Sequence, residues 1–292
     1  MPTARAVNMK HEPEKKGTSL MMWLWVVLLA AVFLFFSKAK RNVVGITLMG
    51  GLGNQMFQIA CALSYSKRES SDLVIGGDSK YWDTVLHRFH RNVGNVSHIR
   101  EQCHEPSAAM FGRVPPFDGD VKIEGYRQSP KYFEGALSDV RDAFRSDPSF
   151  VRTKYAWLLE KDNVVTVHAR RGDYLTLDDV VLKMDYYVRA IRRMKDLVPD
   201  ATFVFFSDDD TFWPSVMDQF DVDHVYVQDE TDVNTMMIIQ QFRNHIISNS
   251  TFSWWSAWLS DTKGHVIAPA RWFGPSGPTP WEDIYDPGWE IM

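Results

Sequence analysis

In the stretch NVVTVHARRGDY, residues 163–174, an apolar run ends in His168, Arg170, Arg171 and Asp173. Two adjacent guanidiniums suit an anionic ligand, because arginine's rigid fork of donors matches phosphate oxygens two at a time. Residues just past the C-terminal end of a parallel strand are also where open α/β sheets hold ligands. A surface Arg–Asp pair closing a loop uses the same residue types, so this cluster alone leaves both readings open. A second set, Ser250, Thr251 and Ser253, precedes or opens SWWSAWL. The free N–H groups and positive dipole end of such a helix form an anion site, and ordinary N-capping fits the same geometry. The triplet Asp208, Asp209 and Asp210 invites a divalent metal on a diphosphate. That reading ranks below one without metal, because the arginines and the helix end already supply positive charge. One carboxylate is then free to accept from purine N–H groups or ribose hydroxyls.

Two further segments carry candidate groups. The turn Gly50, Gly51, Gly53 follows an apolar run and opens a helix with a stripe at Met56, Ile59, Ala60 and Leu63. Its spacing is not the dinucleotide fingerprint, since Asn54 and Gln55 stand where a further glycine would help. Asn54 either caps the helix, its preferred role by residue type, or points its amide at a substrate. EGYRQSPKYF, residues 124–133, offers Tyr126 and Gln128 as a sugar-binding wall. Composition alone favours an edge strand packing its tyrosines.

The elements that must position these groups follow from periodicity. Strands are expected at 43–49, 164–167, 202–206, 224–227, 245–248 and 265–268, and helices at 185–197, 211–220, 232–242 and 253–261. This alternation argues for right-handed βαβ units and a parallel sheet covered on both faces. His168 to Asp173, Ser207 to Asp209, Asp229, and Asn249 to Ser253 then all fall at C-terminal strand ends and should converge on one crevice. Residues 78–133 read as loops around short strands. A helical region at 137–162, interrupted near Pro148, follows. The tryptophans Trp254, Trp255 and Trp258 read as core.

The whole chain sets bounds. Its 292 residues, 45% hydrophobic, suffice for one large or two modest cores. A net charge of −5 without a long basic block argues against a nucleic-acid surface. The two cysteines, Cys61 and Cys103, give no disulfide framework or zinc site, and Cys61 reads as a buried thiol. Leu20 to Phe36 is an uninterrupted apolar run, read as a single membrane anchor over 20–37 after a tail at 1–19. A cleaved signal peptide fits less well, because the run ends in Phe33, Phe35 and Phe36. Lys15 and Lys16 are balanced by Lys38, Lys40 and Arg41, so flanking charge leaves the orientation open.

GGLGNQMFQIA, EGYRQSPKYF, HARRGDY, FFSDD, HIISNSTFSWWSAWL and VIAPARWF together resemble, in order, the inverting α-1,2-fucosyltransferases. The resemblance implies a GT-B-like α/β fold of two Rossmann-like lobes, an acceptor-side lobe at 43–160 and a donor-binding lobe at 161–292. It implies GDP-β-L-fucose as donor, no metal cofactor, and the 2-hydroxyl of a galactose-terminated glycan as acceptor. Arg170 would bind the β-phosphate. His168 and Asp209 would lie near the guanine nucleoside, with Arg171, Asp173, Asp208, Ser250, Thr251 and Ser253 completing the donor site. Gly51, Gly53 and Asn54 would face the donor from the other lobe, and Tyr126 and Gln128 the acceptor. Asp178 is the candidate base for the acceptor hydroxyl, by its offset from the box. The expected setting is the Golgi membrane, single-pass type II, with the catalytic domain luminal. Asn95 would then be open to glycosylation, while Asn249, the other sequon, lies inside the donor site. A membrane-tethered glycan-binding protein without turnover is the alternative.

Overall fold

The structure, a computed structural model, describes residues 22–29, 41–177, 180–260 and 264–292. Residues 22–29 form a short exposed helix in a unit separate from residues 42–292. Among the described residues no helix is long and apolar enough to cross a membrane. Most of the expected anchor at 20–37 lies outside the described residues.

The first half is built on β1 (Val43–Thr47), the apolar run before the glycine turn. Its neighbours are β2 (Asp72–Gly76) and β4 (Val121–Glu124), with β3 (Glu101–His104) beyond, in the all-parallel order β2-β1-β4-β3. Helix α1 (Leu52–Arg68) starts directly after the turn and buries Met56, Phe57, Ile59 and Ala60. Two glutamines of α1 fix the turn. Gln58 exchanges hydrogen bonds with the Met49 backbone at 3.0 Å each way, and Gln55 Nε2 donates to Gly50 O at 2.9 Å.

EGYRQSPKYF is not an edge strand. Its Glu124 ends β4, which lies between β1 and β3. The Glu105 carboxylate then accepts from Tyr126 N at 2.8 Å and Arg127 N at 2.6 Å. This bends the chain away from the sheet, with Arg127 held at φ 56°, before a 3₁₀ turn at Pro130–Ala136. Composition could not anticipate that bend, because the residue that causes it lies about 20 positions upstream. The helical stretch at 137–162 resolves into α2 (Leu137–Phe144), α3 (Ser149–Lys154) and α4 (Ala156–Leu159).

The second half is a six-stranded parallel sheet in the order β10-β9-β8-β5-β6-β7. Its central strand β5 (Val164–Ala169) is buried at every position, which explains why it reads as a continuous apolar run. Strands β6 (Thr202–Ser207), β7 (Asp223–Tyr226), β8 (Asn244–Ile246) and β9 (Val266–Ala268) fall at the expected positions, and β10 (Glu290–Ile291) is additional. Helices α5 (Met184–Leu197), α6 (Phe212–Val216), α7 (Asp232–Ile239) and α8 (Thr251–Trp258) alternate with them. The chain winds β5-β6-β7 to one side, then β8-β9-β10 to the other. The topological switch point therefore lies between β5 and β8.

Helix α8 joins the halves. Trp254, Trp255 and Trp258 enter the core of the first sheet, where Phe57 lies 4.7 Å from Trp254 and Phe133 stacks on Trp255 at 5.5 Å between ring centroids. Gly53 permits this approach: a Cβ there would stand 2.4 Å from the Thr251 carbonyl carbon. Cys61 and Cys103 are buried and unpaired with each other, and burial pushes the Cys61 thiol up to about 12.

Candidate active site

The C-terminal ends of β5 to β8 and the turns after β1, β2 and β4 enclose a cavity of about 660 Å³. At the switch point stand Arg170, from the end of β5, and Ser250 and Thr251, which open α8. The Ser250 side chain caps no helix N–H, so the first amides of α8 carry no cap from that residue. Across the crevice lie Gly51, Gly53 and Asn54. A Cβ at Gly51 would meet nothing within 4 Å, so that glycine leaves room beside the ligand space instead of relieving a clash. Asn54 does not cap α1. Its Oδ1 accepts from Gln128 Nε2 and Thr251 Oγ1, each at 2.9 Å, tying three turns from both halves together.

Arg170 is held from two sides. Asp208 Oδ2 lies 2.7 Å from Nη1, and Asp173 Oδ1 accepts from Nη2 at 2.6 Å. Asp173 is 63% exposed against 27% for Asp208. Asp208 is also fixed by Arg171 N at 2.7 Å. Asp208 is thus the more firmly held partner of Arg170, and Asp173 the more exposed one. The Tyr174 ring lies 5.5 Å from the guanidinium carbon and its hydroxyl donates to Asn249 O at 3.2 Å, which completes the frame.

His168 lines the cavity from within β5 and is almost fully buried. Its Nδ1 lies 2.6 Å from Ser253 Oγ, and Ser253 pairs with Ser248 at 2.9 Å. Burial first, and the Arg170 charge second, push this imidazole down to about 3, so it is neutral at physiological pH. Ser253 therefore acts on the site through His168, whose orientation it sets, and it does not itself line the cavity.

Some expected donor residues lie elsewhere. Arg171 and Asp209 do not line the cavity. They pair with each other at 3.0 Å, with the guanidinium stacked 4.0 Å over Phe212. Thr211, the largest influence, and Arg171 hold the Asp209 carboxyl below its ordinary range. Both arginines lie past the end of β5, where Asp209 and Phe212 draw Arg171 away while Arg170 stays with Asp208 and Asp173. The acidic triplet also diverges: Asp208 faces Arg170, Asp209 holds Arg171 and Thr211, and Asp210 accepts from Tyr226 at 3.4 Å. Among the described residues, no group of three or more His, Cys, Asp or Glu is arranged to hold a metal ion. Asp178, the candidate base, lies outside the described residues.

Tyr126 and Gln128 do reach the cavity, because the bend at Arg127 turns them off the sheet. Sequence reasoning missed Lys80, Tyr81, Glu230, Asp232, Trp272 and Phe273, which also line it. Asp232 accepts from Tyr81 Oη at 2.5 Å and Lys80 Nζ at 3.1 Å across the crevice. Their partners lie about 150 residues apart, so no local pattern signals them. Asn249 is 1% exposed and donates to Val180 O and Trp272 O at 3.0 and 2.9 Å, a structural role.

The chain is 28% identical over 271 residues to an α-1,2-colitosyltransferase of Escherichia coli, covering 80% of this chain and 93% of that one. It is 26% identical over 282 residues to the O-antigen biosynthesis glycosyltransferase WbnK of Escherichia coli, covering 77% and 93%. The crystal structure of the fucosyltransferase NodZ from Bradyrhizobium superposes with a TM-score of 0.50 at 15% identity, covering 82% of this chain and 97% of that one. The fold is accordingly the GT-B-like α/β architecture with parallel sheets expected from the motifs. The expected Golgi setting is corrected. These relatives are bacterial enzymes, and bacteria have no Golgi. A luminal glycan on Asn95, which is exposed, loses its basis with that setting. Residues 122–292 match the family described as glycosyl transferase family 11, and the chain belongs to that family of glycosyltransferases.

Proposed function

We propose that this chain transfers L-fucose from GDP-β-L-fucose to the 2-hydroxyl of a galactoside, forming an α-1,2 linkage with inversion. One observation carries the reading: Arg170 stands at the switch point of the second sheet beside the start of α8, held by Asp208 on one side and by the more exposed Asp173 on the other. In the reaction the bond from the anomeric carbon to the β-phosphate oxygen breaks, and the electron pair leaves on GDP. The acceptor oxygen attacks from the opposite face, and its proton passes to a carboxylate. Arg170 and the N–H groups of α8 meet charge that grows on the leaving phosphate, so they favour the transition state over the ground state. In this reading residues 161–292 bind the donor and residues 43–160 close over it from the acceptor side. His168, Asp208, Ser250 and Thr251 contact the donor, and Ser253 orients His168.

Asp178 is the proposed base. The carboxylates that line the cavity are engaged on the β5–β7 side, by Arg170, by Tyr81 and Lys80, and by Tyr155 at Glu230. Val180, just after Asp178, is tied by Asn249 to the same amide that holds Trp272. Positive charge at the diphosphate comes from Arg170 and α8, while the acidic triplet is engaged by protein groups, so transfer proceeds without a divalent ion.

Incubating the full chain with GDP-fucose and a panel of galactosides, with and without EDTA, tests the reading. An α-1,2-fucosylated product formed at equal rate with chelator is expected. Absence of transfer and of donor hydrolysis would leave only a glycan-binding role, and a strict manganese requirement would reject the metal-free mechanism. Since a 28% identical relative is named for colitose transfer, GDP-colitose belongs in the same panel as the competing donor.

A further inference from the structure

The order of strands divides the crevice into two chemically distinct ends around Arg170. Toward β6 and β7 the walls are Asp208, Glu230, Asp232 and Thr235, with Lys80 and Tyr81 opposite. Toward β9 the walls are Trp272, Phe273 and Pro278, with Tyr126 and Gln128 opposite. Both halves obey the same order. The turn after β2 meets α7 through Asp232, and the segment after β4 meets the C-terminal region through Ser129 Oγ, which donates to Asp283 O at 2.6 Å. The diphosphate must sit between the two ends, because Arg170 and the start of α8 are there. One end therefore takes the nucleoside and the other the acceptor.

The chemistry of the walls assigns them. Carboxylates and hydroxyls match the N–H groups of guanine and the ribose hydroxyls, whereas a pyranose offers an apolar C–H face that packs on aromatic rings. Phe273 and Tyr126 are only partly buried, so their rings are available to a ligand. Phe273 is braced edge-on by Trp281 with centroids 6.4 Å apart, and the buried Trp272 is braced by Tyr285 at 5.8 Å. Beside them Gln128 is 6% exposed, its Nε2 is committed to Asn54, and its Oε1 has no partner among the described residues. A buried carbonyl oxygen without a donor is costly, and a sugar hydroxyl would supply one.

We propose that Phe273 and Tyr126, backed by Trp272 and Pro278, form the stacking platform for the galactosyl ring of the acceptor, with Gln128 Oε1 accepting from one of its hydroxyls. The acceptor thus contacts the C-terminal half as well as the N-terminal one. This rests on the fucosyl-transfer reading, and its test is chosen to stand apart from turnover.

Lactose is the probe, observed by saturation-transfer NMR on the full chain in the presence of GDP, with GDP affinity measured separately by calorimetry. Saturation of the galactosyl protons is expected in the wild type. Phe273→Ala should weaken lactose binding by about tenfold or more, as truncation of an aromatic anchor does, with GDP affinity unchanged. Phe273→Tyr should restore it, which separates loss of the ring from loss of the fold. No lactose binding by the wild type, unchanged lactose binding in Phe273→Ala, or an equal loss of GDP affinity would overturn the assignment. Failure to turn over GDP-fucose would instead count against the donor reading and leave the lactose result to be judged by itself.

Discussion

Replacing Arg170 by alanine is the sharpest perturbation of the proposed chemistry. In the free protein the guanidinium is bonded to Asp208 at 2.7 Å and Asp173 at 2.6 Å. The three groups sum to a charge of −1, from one cation and two carboxylates, and the substitution leaves −2 facing the diphosphate. A unit charge at roughly 4 Å is worth about 4 kcal/mol at an effective dielectric near 20, or about 10³-fold in rate. Removal of a single oxyanion donor from enzymes costs about 10² to 10³-fold, which agrees. We therefore expect kcat/KM to fall about 10³-fold, with thermal stability nearly unchanged because Arg170 is one-third exposed. Arg170→Lys should recover little, since one ammonium cannot hold Asp208 and a phosphate fork together. Coupled GDP-release kinetics, with melting curves as control, would read this out. A loss under tenfold in a folded variant would refute the placement of the leaving group at Arg170.

Three further outcomes are expected. Gly53→Ala should cost about 1–3 kcal/mol and weaken GDP binding, because the added methyl meets the Thr251 and Phe252 backbone at 2.4–2.6 Å; an unchanged melting temperature would contradict the tight approach of α1 to α8. His168 and His245 are both pushed down to about 3 by burial, so between about 6.5 and 3 the unfolded chain binds protons that the folded chain refuses. Stability should fall with pH through that window, by at most about 1.4 kcal/mol per pH unit for each histidine. Urea melts at pH 7 and pH 5 would show it, and His245→Gln should flatten the slope. Asp178→Asn should lower kcat by about 10²-fold or more while leaving GDP affinity intact, and unaltered turnover would remove it as the base.

The second sheet was legible because its strands are buried on both faces and separated by helices of ordinary length, so β5 to β9 stand within a few residues of the expected spans. Arg170 and the α8 turn could be found for the same reason, since a strand end announces its polar residues locally. Alternation did not reveal that Arg171 leaves the cavity with Asp209, because that depends on a stacking contact with Phe212 from a later turn. Nor did it reveal Asp232, whose partners Tyr81 and Lys80 come from the opposite half, or Phe273, which lies in an irregular segment past β9. The bend that brings Tyr126 and Gln128 inward depends on Glu105, a residue without any motif of its own.

Helix α8 begins in the crevice and ends among aromatic residues contributed by the first half. A chimera that grafts one half onto a homologue must therefore preserve Phe57 and Phe133 opposite Trp254 and Trp255, or three indoles face a mismatched interior. Severing the chain between the sheets would expose the same rings to solvent and invite aggregation. The two halves therefore share one aromatic core through this helix, so a swap of either half is a change to the interior of both.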